Sequence, residues 1–273
     1  LNAAEPLLRR ALKIDEETLG RRHPSTATSL DNLACLLQDQ GKIKLAETLF
    51  TRALTITEDA LGHTHPHTAI RLNNYVGLLK EKGDLDTAEP LLRRALKITE
   101  SALGPDHPET GLRLNNLALL LQDKGDLKAA EPLFHKALRV IEQAYAHDHP
   151  IVVNALQNYG VLLRSLNRCE EALQFLKKAL AINEKNAGPF SGEVASTLSA
   201  IGKLFEVQGK YEDSLQSYTR AITIRENLSG PLHPHTASLY FRLGELELNR
   251  GNKTAAKEAF KKAWDAYEDA QGS

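Results

Sequence analysis

Residues 107–141 read HPETGLRLNNLALLLQDKGDLKAAEPLFHKALRVI, and variants of this stretch recur along the chain every 42 residues. The opening His-Pro pair occurs at residues 23–24, 65–66, 107–108, 149–150 and 233–234. The one vacant grid point reads Ser191-Gly192. A period of about 20–50 residues is typical of a protein built from stacked repeats. Such an array presents an extended surface rather than a closed pocket, which favours a binding scaffold.

Each repeat carries two amphipathic helical patterns with a glycine between them. The first begins after Pro108, ends at Gly125, and shows the i, i+3, i+4, i+7 spacing of a helix that buries one face. Its apolar residues are Leu114, Leu117, Ala118 and Leu121. The second pattern runs from Leu127 to Ile141 with the same helical spacing. Each repeat is therefore predicted to be a helical hairpin of a helix A followed by a helix B.

Two kinds of small residue mark fixed positions in every hairpin. A glycine follows helix A at residues 41, 83, 125, 209 and 251, and Asn167 takes the sixth place. Glycine and asparagine accept the positive φ angle that follows a helix end, so this column is predicted to be a C-cap turn. Small residues also recur in helix B, where they are predicted to mark helix crossings: Ala46, Ala88, Ala130, Ala172, Ser214, Ala256, and Ala53, Ala95, Ala137, Ala179, Ala221, Ala263.

Counting these units predicts an all-α array of about thirteen helices. A lone helix B covers residues 1–20, and six helix pairs start near residues 24, 66, 108, 150, 192 and 234. The repeats follow one another without a linker, so we predict a single domain over residues 1–273.

The composition excludes two classes of partner. The chain has 34 basic and 35 acidic residues, so its net charge of −1 does not attract nucleic acid or an anionic membrane surface. No apolar run approaches the roughly 18 residues that a membrane-spanning helix needs. Two cysteines, Cys35 and Cys169, are too few for a secreted disulfide scaffold. We therefore expect a cytoplasmic protein in which both thiols are small packing groups.

The repeat columns resemble the tetratricopeptide signature, at Leu30, Leu33, Ala34, Leu37, Gly41, Ala46, Phe50 and Ala53. Residues 113–118 (RLNNLA), 94–98 (RALKI) and 103–108 (LGPDHP) are similar to the 42-residue repeats of kinesin light chain, which are also common in bacterial proteins. This resemblance implies a right-handed superhelical solenoid with helix A on the concave side. It also implies a non-catalytic protein–protein interaction module without a cofactor.

The resemblance weakens toward the end of the chain. Where repeats 2 and 3 have an Asn-Asn pair, repeat 5 has Ser199-Ala200 and repeat 6 has Phe241-Arg242. Any binding site carried over from the family is therefore expected in repeats 1–4. No heptad segment of the kind that joins kinesin light chain to its motor occurs in this sequence.

The inner stripe of helix A is predicted to bind a peptide. In repeat 2 this stripe contains Ile70 and Gly77 beside polar groups. The predicted peptide-binding residues are Arg71, Asn73, Asn74, Lys80, Arg113, Asn115, Asn116, Gln122, Asn154, Gln157, Asn158 and Arg164. Asparagine offers both a donor and an acceptor to a peptide backbone, and arginine and lysine favour acidic ligands. Kinesin light chains take acidic, aromatic-containing cargo peptides, which implies that an acidic ligand is possible here.

Several alternatives stay open. The asparagines could instead bond to adjacent repeats and fix their stacking. The histidines at 63, 65 and 67 have metal-ligand spacing, but His65 belongs to the His-Pro column, which favours helix entry over a metal site. No nucleophile elbow, phosphate loop or carboxylate dyad occurs, so an enzyme is not expected. The array could also be the sensor segment of a larger signalling ATPase, or a scaffold that associates weakly through its repeat ends rather than a monomer.

Overall fold

The structure, a computed structural model, describes residues 4–272, with side chains described for residues 4–268. Thirteen α-helices and no strand occur within residues 4–272. They are α1 (Ala4–Thr18), α2 (Pro24–Asp39), α3 (Ile43–Leu61), α4 (Pro66–Glu81), α5 (Leu85–Leu103), α6 (Pro108–Asp123), α7 (Leu127–Ala144), α8 (Pro150–Ser165), α9 (Cys169–Ala187), α10 (Gly192–Val207), α11 (Tyr211–Ser229), α12 (Pro234–Asn249) and α13 (Lys253–Gly272). The predicted all-α fold is confirmed, and the six helix pairs begin on the predicted grid.

The chain falls into two compact units, which are described separately below. Unit 1 ends at Ala144 and contains α1–α7, and unit 2 begins at Tyr145 and contains α8–α13. In each unit every helix packs against its neighbours in the chain, and first helices of successive hairpins also touch, as in the pairs α2–α4 and α8–α10. The single domain over residues 1–273 stays a prediction.

The His-Pro pairs begin the A helices through a side-chain hydrogen bond. In each pair the imidazole Nδ1 accepts a hydrogen bond from the backbone N–H two residues later, at 3.1–3.2 Å. The proline follows at the first helical position, where its missing N–H costs no intrahelical bond. At the vacant grid point Ser191 caps α10 instead, by accepting from the N–H of Val194 at 3.3 Å. Helix entry therefore occurs at all six grid points.

The predicted turn column adopts the predicted backbone conformation. The five glycines at residues 41, 83, 125, 209 and 251 have φ angles between 71° and 84°. Asn167, which replaces glycine in the same column, has a φ of 62° and is the one non-glycine residue with positive φ in the described chain. The small-residue columns of helix B are buried, with Ala46, Ala88 and Ala130 each at 0% exposure. Large apolar residues such as Phe50 and Phe134 fill the space beside them.

Candidate functional site

The candidate site in unit 1 is one exposed strip of the three A helices, α2, α4 and α6. We call it the unit 1 face. It consists of three repeat columns: Thr28, Ile70 and Leu112; Asn32, Asn74 and Asn116; Cys35, Gly77 and Leu119. Within each helix the three residues are spaced i, i+4, i+7, which places them on one side of that helix. Every one of the nine is exposed or half-buried. The strip therefore alternates apolar and amide groups that solvent can reach.

The asparagines of this strip tie adjacent repeats together. The side-chain amide of Asn74 donates a hydrogen bond to the Asp31 carboxylate, and that of Asn116 donates to Asn73 Oδ1 at 2.8 Å. In both cases the acceptor lies 43 residues earlier, on the preceding A helix. This geometry supports the stacking role for Asn73, Asn74 and Asn116. Each donating amide group still has a second N–H and a carbonyl oxygen available for a ligand.

Arg71 is part of a buried ion pair between α2 and α4. Its guanidinium donates to Asp31 Oδ2 at 2.9 Å and to Thr28 Oγ1 at 2.6 Å. The two charged side chains are 9% and 4% exposed. Burial raises the pKa of the Asp31 carboxyl above its ordinary value, although Arg71 and Asn74 oppose that rise. Arg71 therefore holds two repeats together, and a ligand would have to displace Asp31 to reach its charge.

Arg113 occupies the position 42 residues after Arg71 but lacks the same partners. The residues equivalent to Asp31 and Thr28 are Asn73 and Ile70, which carry no negative charge. The ion-pair partner of Arg113 is Glu109 on the same helix, at 3.2 Å, with a side chain that is 44% exposed. Arg113 itself is only 11% exposed, and burial lowers the pKa of its guanidinium. Arg113 is thus a largely buried cation with a solvated counter-ion.

The remaining predicted residues of unit 1 lie at the C-terminal ends of the A helices or in the core. Lys80 forms an ion pair with Asp123 of the next A helix at 2.8 Å. Gln122 is half-buried, and its side-chain oxygen has no hydrogen-bond partner in the described chain. Asn115 is buried, at 9% exposure. A ligand on the unit 1 face could reach Lys80 and Gln122, whereas Asn115 belongs to the packed interior.

Gly77 differs from every other glycine inside an A helix. A Cβ atom added to Gly111, Gly160, Gly202 or Gly244 would lie within 2.7–3.0 Å of a neighbouring side chain. A Cβ atom added at Gly77 would meet no heavy atom within 4 Å. Four of these glycines therefore make room for internal packing, and the surface at Gly77 is open.

The other four predicted residues lie in unit 2. Asn154 is exposed, whereas Asn158 and Gln157 are half-buried. The Gln157 amide donates a hydrogen bond to Thr197 Oγ1 on α10. Arg164 is half-buried, and burial lowers the pKa of its guanidinium. The twelve predicted residues are thus divided between the two units, eight in unit 1 and four in unit 2.

Two expectations about individual residues are corrected or refined. Cys35 is exposed on the unit 1 face rather than packed in the interior, and its pKa is raised by partial desolvation and by Asp31 and Asp39. The Nδ1 atom of His65 accepts the hydrogen bond that caps α4, which agrees with the helix-entry interpretation. The described residues contain no cluster of three or more metal-ligating side chains, and none of their helices has the length and apolar character needed to cross a bilayer.

Sequence reasoning missed the role of Asp31 and the capping atom of the histidines. Asp31 differs from the asparagines at the equivalent positions of repeats 2 and 3, and Arg71 lies two positions before the repeat-2 equivalent of Asp31. Comparing columns between adjacent repeats could have paired the two residues. No sequence signal gives the imidazole tautomer or shows that Nδ1 faces the backbone.

Comparison with known proteins gives a consistent result for the fold. The tetratricopeptide repeat family matches residues 1–59, 35–98, 67–122, 112–185 and 193–269. No curated protein matches the chain. The solved structure of BtubC (BKLC) from P. vanneervenii is 19% identical, covers 92% of each chain and has a TM-score of 0.65.

Two further solved structures show the same fold. A tetratricopeptide repeat protein from Parabacteroides merdae is 22% identical, with coverage of 96% of this chain and 85% of that one and a TM-score of 0.67. Kinesin light chain repeats from Podosopora anserina are 18% identical, with coverage of 76% and 98% and a TM-score of 0.65. Identities this low support the fold and carry no information on ligands.

Proposed function

Because the chain belongs to the tetratricopeptide repeat family, we propose that unit 1 binds an extended peptide segment of a partner protein along the unit 1 face. Arrays of this family are generally scaffolds for protein–protein interaction. The proposal adds which surface is used and how it holds its ligand. It includes the expectation of a non-catalytic, cytoplasmic protein.

The open surface at Gly77 is the observation that carries the proposal. Glycine in a helix interior is less favourable than alanine by about 0.8–1.0 kcal/mol. Nothing inside the protein requires a glycine here, because the space that a Cβ atom would take is empty. Glycine does allow the backbone of another chain to approach a helix closely. A peptide main chain crossing α4 at Gly77 is therefore the simplest use of this position.

The neighbouring side chains match the needs of an extended peptide. Asn32 is exposed, and the side chains of Asn74 and Asn116 each keep one N–H and the carbonyl oxygen that are not used between repeats. These groups could bind the main chain of a peptide of any sequence. Ile70, which is 41% exposed, and half-buried Leu119 offer apolar contacts.

Few of the cations near the unit 1 face are free to attract an acidic ligand. Arg71 and Lys80 already have acidic partners between repeats, so they are poorly placed to attract an acidic peptide. Arg113 supports one acidic contact, because its one ion-pair partner among the described residues, Glu109, is exposed to solvent and could give way to a ligand carboxylate. Exposed Asp39 and Glu81 limit further acidic contacts.

The proposal is tested by selecting ligands and then blocking the surface. Peptides selected from a display library of random linear sequences on the wild-type protein would be titrated by calorimetry into wild type and the Gly77→Leu variant. Leucine already occupies the equivalent position Leu119, so the fold should tolerate it. We expect Gly77→Leu to weaken binding by at least about tenfold, or about 1.4 kcal/mol.

A matched control distinguishes surface blocking from a general effect of added leucine. Lys97 is exposed on α5, a B helix, and Lys97→Leu adds a similar apolar surface away from the unit 1 face. Circular dichroism would verify that both variants keep wild-type helicity. Equal affinity of Gly77→Leu and Lys97→Leu for the selected peptides would exclude the proposed surface.

Self-association is a second candidate that one observation favours. Apolar side chains are exposed on the first and last helices, with Leu7 and Ile14 of α1 at 67% and 48%, and Trp264 of α13 at 65%. Exposed apolar surface of this kind often marks an interface. Sedimentation velocity over a range of concentrations tests this candidate, and a monomer at the highest concentration would exclude it. The other alternative is that the array is the sensor segment of a larger signalling ATPase, and none of the contacts described above favours it.

A further inference from the structure

A polar cavity lies between α10 and α12 in unit 2, where the repeats depart from the Asn-Asn pattern. Its volume is about 230 Å³. Its polar lining residues are Ser196, Ser199, Arg225, His235, Ser238 and Arg242, and the other two are apolar. Two guanidinium groups and three hydroxyl groups thus converge there, and none of these lining residues is acidic.

Arg225 is held in this cavity by neutral groups alone. Its guanidinium donates to the backbone carbonyl of Gly192 and to Ser196 Oγ, both at 2.8 Å. Neither acceptor neutralises its charge. These two bonds fix the direction of the guanidinium at the first turn of α10, so the cation is positioned in advance of any ligand.

The vacant grid point explains how Arg225 reaches this place. Residue 192 is the position at which the other five repeats have the proline of the His-Pro pair. A Cβ atom added to Gly192 would lie 3.0 Å from Arg225 Nη1. Proline at this position would therefore crowd the guanidinium. The equivalents of Arg225 in earlier repeats are Asn183, Ile141, Thr99, Thr57 and Asp15. Loss of proline and gain of arginine thus occur together in repeat 5 alone.

Arg164 adds a third cation near the two arginines that line the cavity. Neither Arg242 nor Arg164 has a hydrogen-bond or ion-pair partner for its guanidinium among the described residues of the chain. Burial lowers the pKa of Arg164, and the charge of Arg242 contributes to that shift. The nearby carboxylate, Glu206, is already engaged by Lys203 at 3.0 Å and by the Tyr218 hydroxyl at 3.3 Å. Glu206 is therefore one carboxylate among three cations, Arg164, Lys203 and Arg242.

We propose that the cavity between α10 and α12 binds a dianionic phosphate group, with Arg225 and Arg242 balancing its charge and the Ser199 hydroxyl donating to one of its oxygens. The hydroxyls of Ser196 and Ser238 already donate to the backbone carbonyls of Gly192 and His235, at 3.0 and 2.9 Å. A phosphate monoester carries about −1.5 to −2 charges at pH 7 and three strong acceptor oxygens. A carboxylate carries one charge on two oxygens, so it would balance the charge of only one of the two guanidinium groups. This inference is independent of the peptide face of unit 1.

The test compares phosphate with carboxylate on the intact chain. N-acetyl-phosphoserine amide, inorganic phosphate and N-acetyl-glutamate amide would each be titrated at constant ionic strength, while ¹H–¹⁵N spectra follow the amides of Ser196, Ser199 and Ser238. We expect both phosphate probes to bind at least about tenfold more tightly than the glutamate probe. Tighter binding of the phosphoserine probe would assign the site to a phosphorylated protein segment, and tighter binding of inorganic phosphate would assign it to the free anion.

Substitutions make the test specific to the cavity. Arg242→Gln should weaken phosphate binding at least about tenfold, since it removes one charge-assisted contact. Arg220→Gln is the matched control, because Arg220 also lies in unit 2 but pairs with Glu184 outside the cavity. The proposal is overturned if the glutamate probe binds as tightly as phosphoserine, or if Arg242→Gln and Arg220→Gln bind phosphate equally.

Discussion

Replacing Gly77 by alanine should stabilise unit 1 and at the same time weaken peptide binding. Gly77 is the twelfth of sixteen residues in α4, well inside the helix, and it is exposed. Alanine is favoured over glycine in a helix interior by about 0.8–1.0 kcal/mol. Since the added Cβ atom meets nothing within 4 Å, no steric cost reduces this gain. We therefore expect the full difference to appear as added stability.

Native-state hydrogen exchange measures this effect where it arises. Two units of a repeat array need not unfold together, so a local measurement is preferable to a single global transition. A gain of about 1 kcal/mol corresponds to an about fivefold slower exchange of the α4 amides. The same variant should bind the selected peptides less tightly, because a methyl group now separates their main chain from α4.

Replacing Gly202 by alanine should instead lower the local stability of α10. A Cβ atom there would lie 2.8 Å from the ring of Tyr218, which is fully buried. Overpacking of this kind costs about 1–3 kcal/mol, so the α10 amides should exchange faster. Faster exchange in α4 of the Gly77→Ala variant would refute the reasoning, since it would mean that the surface at Gly77 is not open.

Three further predictions concern stability. His107→Ala should cost about 1 kcal/mol by removing the N-cap of α6, and His107→Ser should recover most of it, as measured by urea unfolding. Asp31→Asn should cost about 3 kcal/mol because it leaves Arg71 buried without a counter-ion, whereas the Asp31→Leu/Arg71→Met double variant should be nearly neutral. Lys42 and Arg9 lower the pKa of Glu5 from 4.5 to about 2, so its stabilising contribution is present above pH 4.5 and is lost as the pH falls toward 2. An NMR titration of Glu5 that gives an unshifted value would contradict this, as would a Glu5→Gln variant with unchanged acid sensitivity.

The 42-residue grid predicts the fold because each of its columns has a local physical reason. A proline after a capping residue starts five of the six A helices, and a glycine or Asn167 with positive φ follows the end of each. These requirements act within a few residues, so they can be read without knowing the tertiary contacts. The replacement of His-Pro by Ser191-Gly192 leaves the helix start unchanged, because serine is an equally good cap.

The candidate site could be predicted only in part, since its chemistry depends on pairs of residues from different repeats. The sequence predicts that Asn74 and Arg71 face a ligand, but both contact Asp31, which lies about one repeat earlier. A single repeat contains no sign of that pairing. The open space at Gly77 could not be predicted either. The sequence does not distinguish a glycine that makes room for a neighbouring side chain from a glycine on an open surface.

Protection of Cys35 from alkylation tests the central claim most directly. Cys35 is exposed in the same column as Gly77, and a Cys169→Ser background leaves it as the only thiol. Its raised pKa calls for a mildly alkaline reaction with iodoacetamide, followed by mass spectrometry. We predict that saturation with a selected peptide slows alkylation of Cys35 by at least about tenfold, and that this protection disappears in the Gly77→Leu variant. An alkylation rate that does not change while the peptide is bound would contradict binding on the unit 1 face.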